Sequence, residues 1–144
     1  MAAGDPIPWS YIATRVATAP ITADSSTFTT TQVTLITATP TLDIGRTYGI
    51  WVYFRMSSSV AADVAICRIR EDSTTGTELS QGQFYIATNS ASGFGFSIYG
   101  EYTAVASAVK TLVFTAVRAA GSGNLTLKGA AVAPSKMTVT LIPA

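Results

Sequence analysis

The fold is decided by the ten residues TYGIWVYFRM at positions 47–56, in which large apolar side chains occupy every second position. Successive side chains of a β-strand point to opposite faces of the sheet, so the apolar set from Tyr48 to Met56 lies on one face. That face must enter a hydrophobic core. The other face carries Trp51 and Tyr53, which are either covered by another segment or free to bind a partner.

Similar short segments with a period of two run from residue 28 to the end of the chain, separated by turns rich in Gly, Ser, Asn and Pro. Eight short strands without a sustained helical period predict an all-β protein, an antiparallel β-sandwich of jelly-roll type. An immunoglobulin-like sandwich is the alternative, although its Cys…Trp…Cys pattern is absent. Besides the strand at 47–56, the predicted strands are 28–38, 63–71, 83–88, 94–102, 109–118, 124–128 and 136–142.

The N-terminal segment contains too few apolar residues to form a core of its own. Ser10 can cap a short helix that runs to Ala19 and is ended by Pro20. The alternative is an extended arm anchored by Trp9 and Tyr11. In either form we expect the segment to lie on the surface of its own domain or of a neighbour, and this divides the chain into an N-terminal docking arm, 1–27, and a β-sandwich domain, 28–144.

The composition is unusual for a soluble domain, because only 12% of the residues are charged and there is no histidine. A typical soluble domain is about 25% charged. Much of the surface is therefore expected to face other protein subunits. The net charge of +1 and the scattered basic residues argue against nucleic-acid and membrane partners. Neither a signal sequence nor a transmembrane span is recognisable, so we expect the protein to be made in a cytoplasm and to stay soluble or join a particle.

The sequence offers no catalytic constellation, which predicts that the protein is not an enzyme. A serine triad lacks its histidine, and Ser135 and Lys136, as strand neighbours, point to opposite faces. The acidic pair Glu71 and Asp72 is better explained as a solvated strand end balanced by nearby arginines. Cys67, the only cysteine, lies in an apolar strand and is expected to be a small buried side chain.

No cofactor or metal site is predicted either. Asp43 and Asp72 could each supply one calcium ligand, but the chain lacks a DxDxD spacing. The glycine-rich segments 93–96 and 121–123 are flanked by strands, whereas a phosphate loop lies between a strand and a helix. We interpret their glycines as turn or bulge residues, or as places where an aromatic ring needs room.

Four aromatic residues alternate with core positions on the predicted strands: Trp51, Tyr53, Tyr85 and Tyr99. Either another segment covers them, or they face outward as a subunit interface or as a platform for a sugar ring. The shortage of charge favours a subunit interface. Together with Trp9 and Tyr11 of the arm, they form the predicted set of interface residues.

Several segments of the chain are similar to known proteins. The N-terminal sequence AGDPIPWSYI at positions 3–12 resembles the start of small tail-associated proteins of tailed bacteriophages. Further along the chain lie GRTYGI at 45–50, RIRED at 68–72, GT at 76–77 and EYTA at 101–104. These segments resemble β-sandwich domains in tail and virion proteins of phages that infect actinobacteria.

This resemblance implies a non-enzymatic virion protein, tail-associated as a minor tail, tail-tip or fibre component, with no catalytic residues to carry over. It also implies a homo-oligomer, with a trimer as one form, in contact with other virion proteins. A capsid decoration protein that stabilises the head is the first alternative. A carbohydrate-binding host-attachment module, with a host-surface glycan as its partner, is the second.

Overall fold

The computed structural model describes residues 14–130 and 134–143, and these residues form eleven β-strands and no helix. Every strand pairing among them is antiparallel, which confirms the predicted all-β sandwich. The strands are β1 (Thr14–Ile21), β2 (Val33–Ala38), β3 (Thr41–Leu42), β4 (Thr47–Ser58), β5 (Asp63–Glu71), β6 (Glu78–Ile86), β7 (Phe94–Thr103), β8 (Ala108–Val109), β9 (Leu112–Ala120), β10 (Leu125–Lys128) and β11 (Ser135–Leu141).

The five-stranded sheet is built around β4. On one side β4 pairs along its length with β7. On the other side it pairs with two strands in succession, β11 along its first half and β10 along its second. The strand β1 pairs with β11 and forms the opposite edge, with a bulge between Arg15 and Ala17 and a proline, Pro20, near its end. Across the sheet the order is therefore β1, β11 with β10, β4 and β7.

The four-stranded sheet has the order β2–β9–β5–β6 and packs against the five-stranded sheet. The core between them contains a cluster of phenylalanines. Phe54 of β4 lies with its ring centroid 4.7 Å from that of Phe114 and 5.1 Å from that of Phe84, both on the four-stranded sheet. The apolar face of the 47–56 stretch enters this core, as its alternation predicts. A separate ribbon of β3 and β8 lies at the end of the sandwich where β4 begins.

Three details differ from the sequence prediction. The helical alternative for the arm is wrong for residues 14–19, because they belong to β1. The predicted strand 28–38 is interrupted, since Phe28 bridges to Leu125 in the five-stranded sheet and β2 belongs to the other sheet. The strand predicted at 83–88 is β6, which begins at Glu78 and ends at Ile86.

Among the described residues there is no helix long and apolar enough to cross a membrane.

Candidate interaction surface

Three of the four predicted aromatic residues share the outer face of the five-stranded sheet, which we call the aromatic face. Trp51 and Tyr53 on β4 are 53% and 42% exposed, and Tyr99 on β7 is 36% exposed. Tyr85 is 59% exposed but lies on β6, in the other sheet. The structure therefore joins Trp51, Tyr53 and Tyr99 and separates Tyr85 from them. Trp9 and Tyr11 lie outside the described residues.

The strand register arranges the aromatic face in three rows that cross the whole sheet from β1 to β7. Cross-strand partners share one face of a sheet, and adjacent strands are about 4.8 Å apart, so each row spans four neighbouring strands. The rows are Arg15–Thr140–Gly49–Glu101, Thr18–Thr138–Trp51–Tyr99 and Pro20–Lys136–Tyr53–Ser97.

Two glycines hold the tyrosine rings close to the sheet. A Cβ atom on Gly49 would lie 3.0 Å from the hydroxyl oxygen of Tyr99, and one on Gly95 would lie 3.2 Å from that of Tyr53. Each tyrosine thus crosses to the neighbouring strand and covers a position without a side chain. Cross-strand packing of an aromatic ring on glycine stabilises such pairs. This agrees with the predicted role of the glycine in segment 93–96 as room for a ring.

Tyr99 is further fixed by Trp51 and Glu101. The ring centroids of Trp51 and Tyr99 are 4.6 Å apart, with an angle of 42° between the rings. The Tyr99 hydroxyl donates a hydrogen bond of 2.7 Å to Glu101 Oε1. Burial and this hydrogen bond to a carboxylate both raise the pKa of Tyr99 above its ordinary value. The tyrosine therefore stays neutral and its hydroxyl remains a donor at physiological pH.

The two outer faces differ in how their charges are balanced. On the four-stranded sheet, Arg68 and Arg70 both pair with Glu78 at 3.0 Å. On the aromatic face no ion pair is found within the described chain for four charged side chains. These are Arg15, Arg55, Lys136 and Glu101. Two arginines therefore share one carboxylate on the four-stranded sheet. On the outer face of the five-stranded sheet, Lys128 pairs with Asp24, whereas the four side chains named above have no oppositely charged partner among the described residues.

A shallow depression adjoins the aromatic face at the end where β4 begins. Its volume is about 320 Å³, and Arg46, Glu101 and Pro143 are among the residues that line it. Arg46 and Glu101 have opposite charges and no ion pair within the described residues. The depression extends the aromatic face beyond Tyr99 with polar groups.

The acidic pair that was considered for catalysis forms ion pairs within the chain. Glu71 and Asp72 both pair with Lys110, at 2.7 and 2.8 Å, so the charge compensation expected from the neighbouring arginines comes from another part of the chain. Burial would lower the pKa of Lys110, but the two carboxylates raise it well above its usual range. Among the described residues no three His, Cys, Asp or Glu side chains come together as a metal site.

Cys67 and the pair Ser135–Lys136 lie as the sequence predicts. Cys67 is fully buried in β5, and burial raises the pKa of its thiol far above its usual range. A buried neutral thiol is a poor nucleophile. Ser135 is buried and donates a hydrogen bond of 2.7 Å to the Lys128 carbonyl, while Lys136 points to the opposite, exposed face.

Comparisons with known proteins agree with this fold. No protein-family model matches the sequence, and no curated protein matches it. Among solved structures, the C-terminal domain of EclA, described as a sugar-binding protein, is 14% identical with a TM-score of 0.53 over 95% of this chain and 85% of that one. A structure of infectious bursal disease virus, Gx strain, is 12% identical with a TM-score of 0.51 over the whole chain.

The protein spans only 38% of the matched viral chain, so the likeness concerns one domain of it. At these identities both likenesses show the fold and leave the function open. They support the β-sandwich architecture described above.

The sequence pattern alone does not single out the groups that surround the aromatic residues. Gly49 lies on β4 with Trp51 and Tyr53, but Glu101 and Lys136 belong to two other strands, and only the register brings them beside these rings. The available signal is the alternation itself, because each of the three occupies an outward position of its strand.

Proposed function

We propose that this protein is a non-enzymatic structural protein of a bacteriophage virion, associated with the tail, and that it binds sister copies through the aromatic face. The observation that supports this most directly is the cluster of Trp51, Tyr53 and Tyr99 on an open sheet face. Aromatic residues are enriched in the cores of protein interfaces, and charged residues are depleted there. The part of the N-terminal segment 1–27 that precedes β1 would dock the sandwich to the particle or to a neighbouring protein, since residues 14–21 belong to the sandwich itself.

The driving force for such an assembly is the burial of apolar surface. At about 25 cal/mol per Å² of apolar area, an interface of standard size gains ample free energy before the costs of association are subtracted. Because Tyr53 and Tyr99 are already held over glycines, their rings lose little conformational freedom when a partner covers them. The face is therefore organised for binding before a partner arrives.

Removing two of the exposed rings tests the proposal. The double substitution Trp51→Ala, Tyr53→Ala should convert the parent oligomer to a monomer, because it removes the centre of the apolar contact. Sedimentation velocity of the purified protein over a range of concentrations measures the change. Tyr85→Ala is the matched control, since Tyr85 is equally exposed but lies on the other sheet. An oligomer unchanged by the double substitution would exclude this face as the contact.

A capsid decoration protein would use the same sandwich and the same face, so location on the particle separates the two alternatives. Labelling purified virions with antibodies against this protein, followed by electron microscopy, should mark the tail. Dense labelling of the head would instead establish the decoration role and exclude the tail assignment.

A carbohydrate-binding role is the second candidate, favoured by one specific arrangement. Trp51 and Tyr99 offer ring surfaces beside the Glu101 carboxylate, and sugars are bound by aromatic stacking together with polar contacts to hydroxyl groups. Binding of the protein to an array of bacterial surface glycans, lost on Trp51→Ala and kept on Tyr85→Ala, would support host attachment. Absence of binding across the array would count against it.

A further inference from the structure

We infer that the aromatic face is self-complementary and joins two copies about a twofold axis that runs parallel to its strands. This inference rests on the proposed self-association and adds the partner, the symmetry and the residues that meet. It follows from the order of residues within the three rows. A twofold contact places the same surface on both copies, so each residue must suit the one that the axis brings opposite it.

The axis parallel to the strands exchanges the two edges of the sheet and keeps the rows in place. When two sheets lie face to face in this way, β1 of one copy lies over β7 of the other, and β11 lies over β4. The strands of the two sheets then run in nearly the same direction, which is the aligned packing of β-sandwiches, within about 30°.

The first row pairs opposite charges. Arg15 lies at the β1 end of this row and Glu101 at the β7 end. The exchange of edges brings Arg15 of each copy over Glu101 of the other, which makes two symmetric ion pairs. Both side chains lack an ion pair within the described part of the monomer.

The other two rows place complementary groups in the centre of the contact. In the third row Lys136 of one copy comes over Tyr53 of the other, a cation over an aromatic ring. In the second row Thr138 comes over Trp51, and Thr18 comes over Tyr99. These pairs put a small side chain opposite each large ring, so the rings fill space without colliding.

The alternative twofold axis, across the strands, does not give this match. It keeps each edge over the same edge of the other copy and exchanges the first row with the third. Arg15 would then lie over Pro20, and Glu101 over Ser97, so both charges would enter the contact without a partner of opposite charge. Burying an unpaired charge costs free energy, so the charge distribution selects the axis parallel to the strands.

The three rows cover a modest area. Four neighbouring strands span about 19 Å, and the rows extend over about five residues of each strand, or about 17 Å. The resulting plane of about 320 Å² is less than half of the roughly 800 Å² that each partner contributes to a standard interface. The next outward row, which holds Arg55 and Lys128, lies beyond this contact, and we expect the dimer to be a weak one.

Charge reversal tests the pairing. Arg15→Glu and Glu101→Arg should each weaken dimerisation at least about tenfold, because each places like charges opposite one another. The double variant with both reversals in one chain should recover the dimer. An equimolar mixture of the two single variants should form a mixed dimer more strongly than either variant alone. Asp43→Arg, an exposed acidic residue away from the face, controls for the change in net charge.

Sedimentation equilibrium distinguishes failure of this inference from failure of the proposed self-association. If the parent assembly is lost on Trp51→Ala, Tyr53→Ala but survives either charge reversal, the face is used and the twofold pairing is wrong. A trimeric mass, or no recovery in the double variant, also overturns the pairing. A parent protein that stays monomeric at every concentration overturns the self-association itself.

Discussion

Asp63 is the clearest single-residue constraint on the fold, because its carboxylate is completely buried. It accepts hydrogen bonds from the Ser58 hydroxyl and from the backbone N–H of Gly123, the latter at 3.1 Å. A Cβ atom on Gly121 or Gly123 would collide with this carboxylate. Gly121 also has φ of +91°, a conformation that favours glycine. The carboxylate thus ties the β4–β5 connection to the β9–β10 turn.

We expect Asp63→Ala to lower the free energy of unfolding by about 1–3 kcal/mol, since it leaves a buried N–H group without its acceptor. Urea unfolding followed by tryptophan fluorescence measures the loss. Asp43→Ala is the control, because Asp43 is exposed. Equal stability of the two variants would show that the buried carboxylate is not a structural link.

At the residue scale, the sequence predicts which side chains face outward better than it predicts which of them meet. The alternation around Trp51 and Tyr53 identifies both as outward positions, and the structure agrees. The same reasoning places Tyr85 and Tyr99 together among the outward interface residues, although they lie on different sheets. Assignment of a strand to a sheet depends on pairing between distant segments, and the period of one strand contains no information about it.

At the element scale, β1 shows how the N-terminal segment joins the sandwich. Its side chains alternate, with Ala17, Ala19 and Ile21 packed against the core and Thr18 exposed. The sequence pattern does not reveal this strand, because alanines replace the larger residues that mark a core face and because its partner β11 lies at the other end of the sequence. In contrast, the pattern predicts β4 and β5 almost to the residue, because β4 has a large apolar side chain at every inward position from Tyr48 to Met56 and β5 is an apolar run that ends in charged residues.

Ala19→Asp should loosen β1, because it places a charged group on the face that packs against the core. We expect a loss of unfolding free energy of about 1–3 kcal/mol and faster hydrogen exchange of the β1 amides. Hydrogen–deuterium exchange with mass spectrometry measures the exchange rate of the β1 amides directly. Thr18→Asp, one position away on the exposed face, should leave the exchange of β1 in the monomer nearly unchanged. Equal exchange in the two variants would contradict the inward position of Ala19.

At the scale of the whole molecule, Cys67 provides a reporter of global unfolding. It is fully buried in β5 between β6 and β9, so only cooperative opening of the four-stranded sheet exposes it. At reagent concentrations high enough for modification to outpace refolding, we expect a thiol reagent such as DTNB to react with the native protein at the rate of global unfolding. Rapid reaction with the native protein would show local opening instead.

The same thiol gives stability a defined dependence on pH. Burial raises the pKa of Cys67 in the folded state above its ordinary value of 9.0. The contribution of the neutral thiol to stability is therefore complete below about pH 9 and declines as the pH rises further, because only the unfolded chain ionises readily. Urea unfolding at several pH values should show this decline in the parent and a smaller one in Cys67→Ala. Identical pH profiles would assign the alkaline loss to other groups.

The edge strand β1 has a consequence for how the protein behaves at high concentration. An exposed sheet edge can recruit further strands without limit, which leads to fibrous aggregates. In β1 the bulge between Arg15 and Ala17 breaks the regular ladder, and Pro20 has no N–H group to donate. Strand addition at this edge is therefore hindered, which protects the protein from open-ended polymers that would grow from β1.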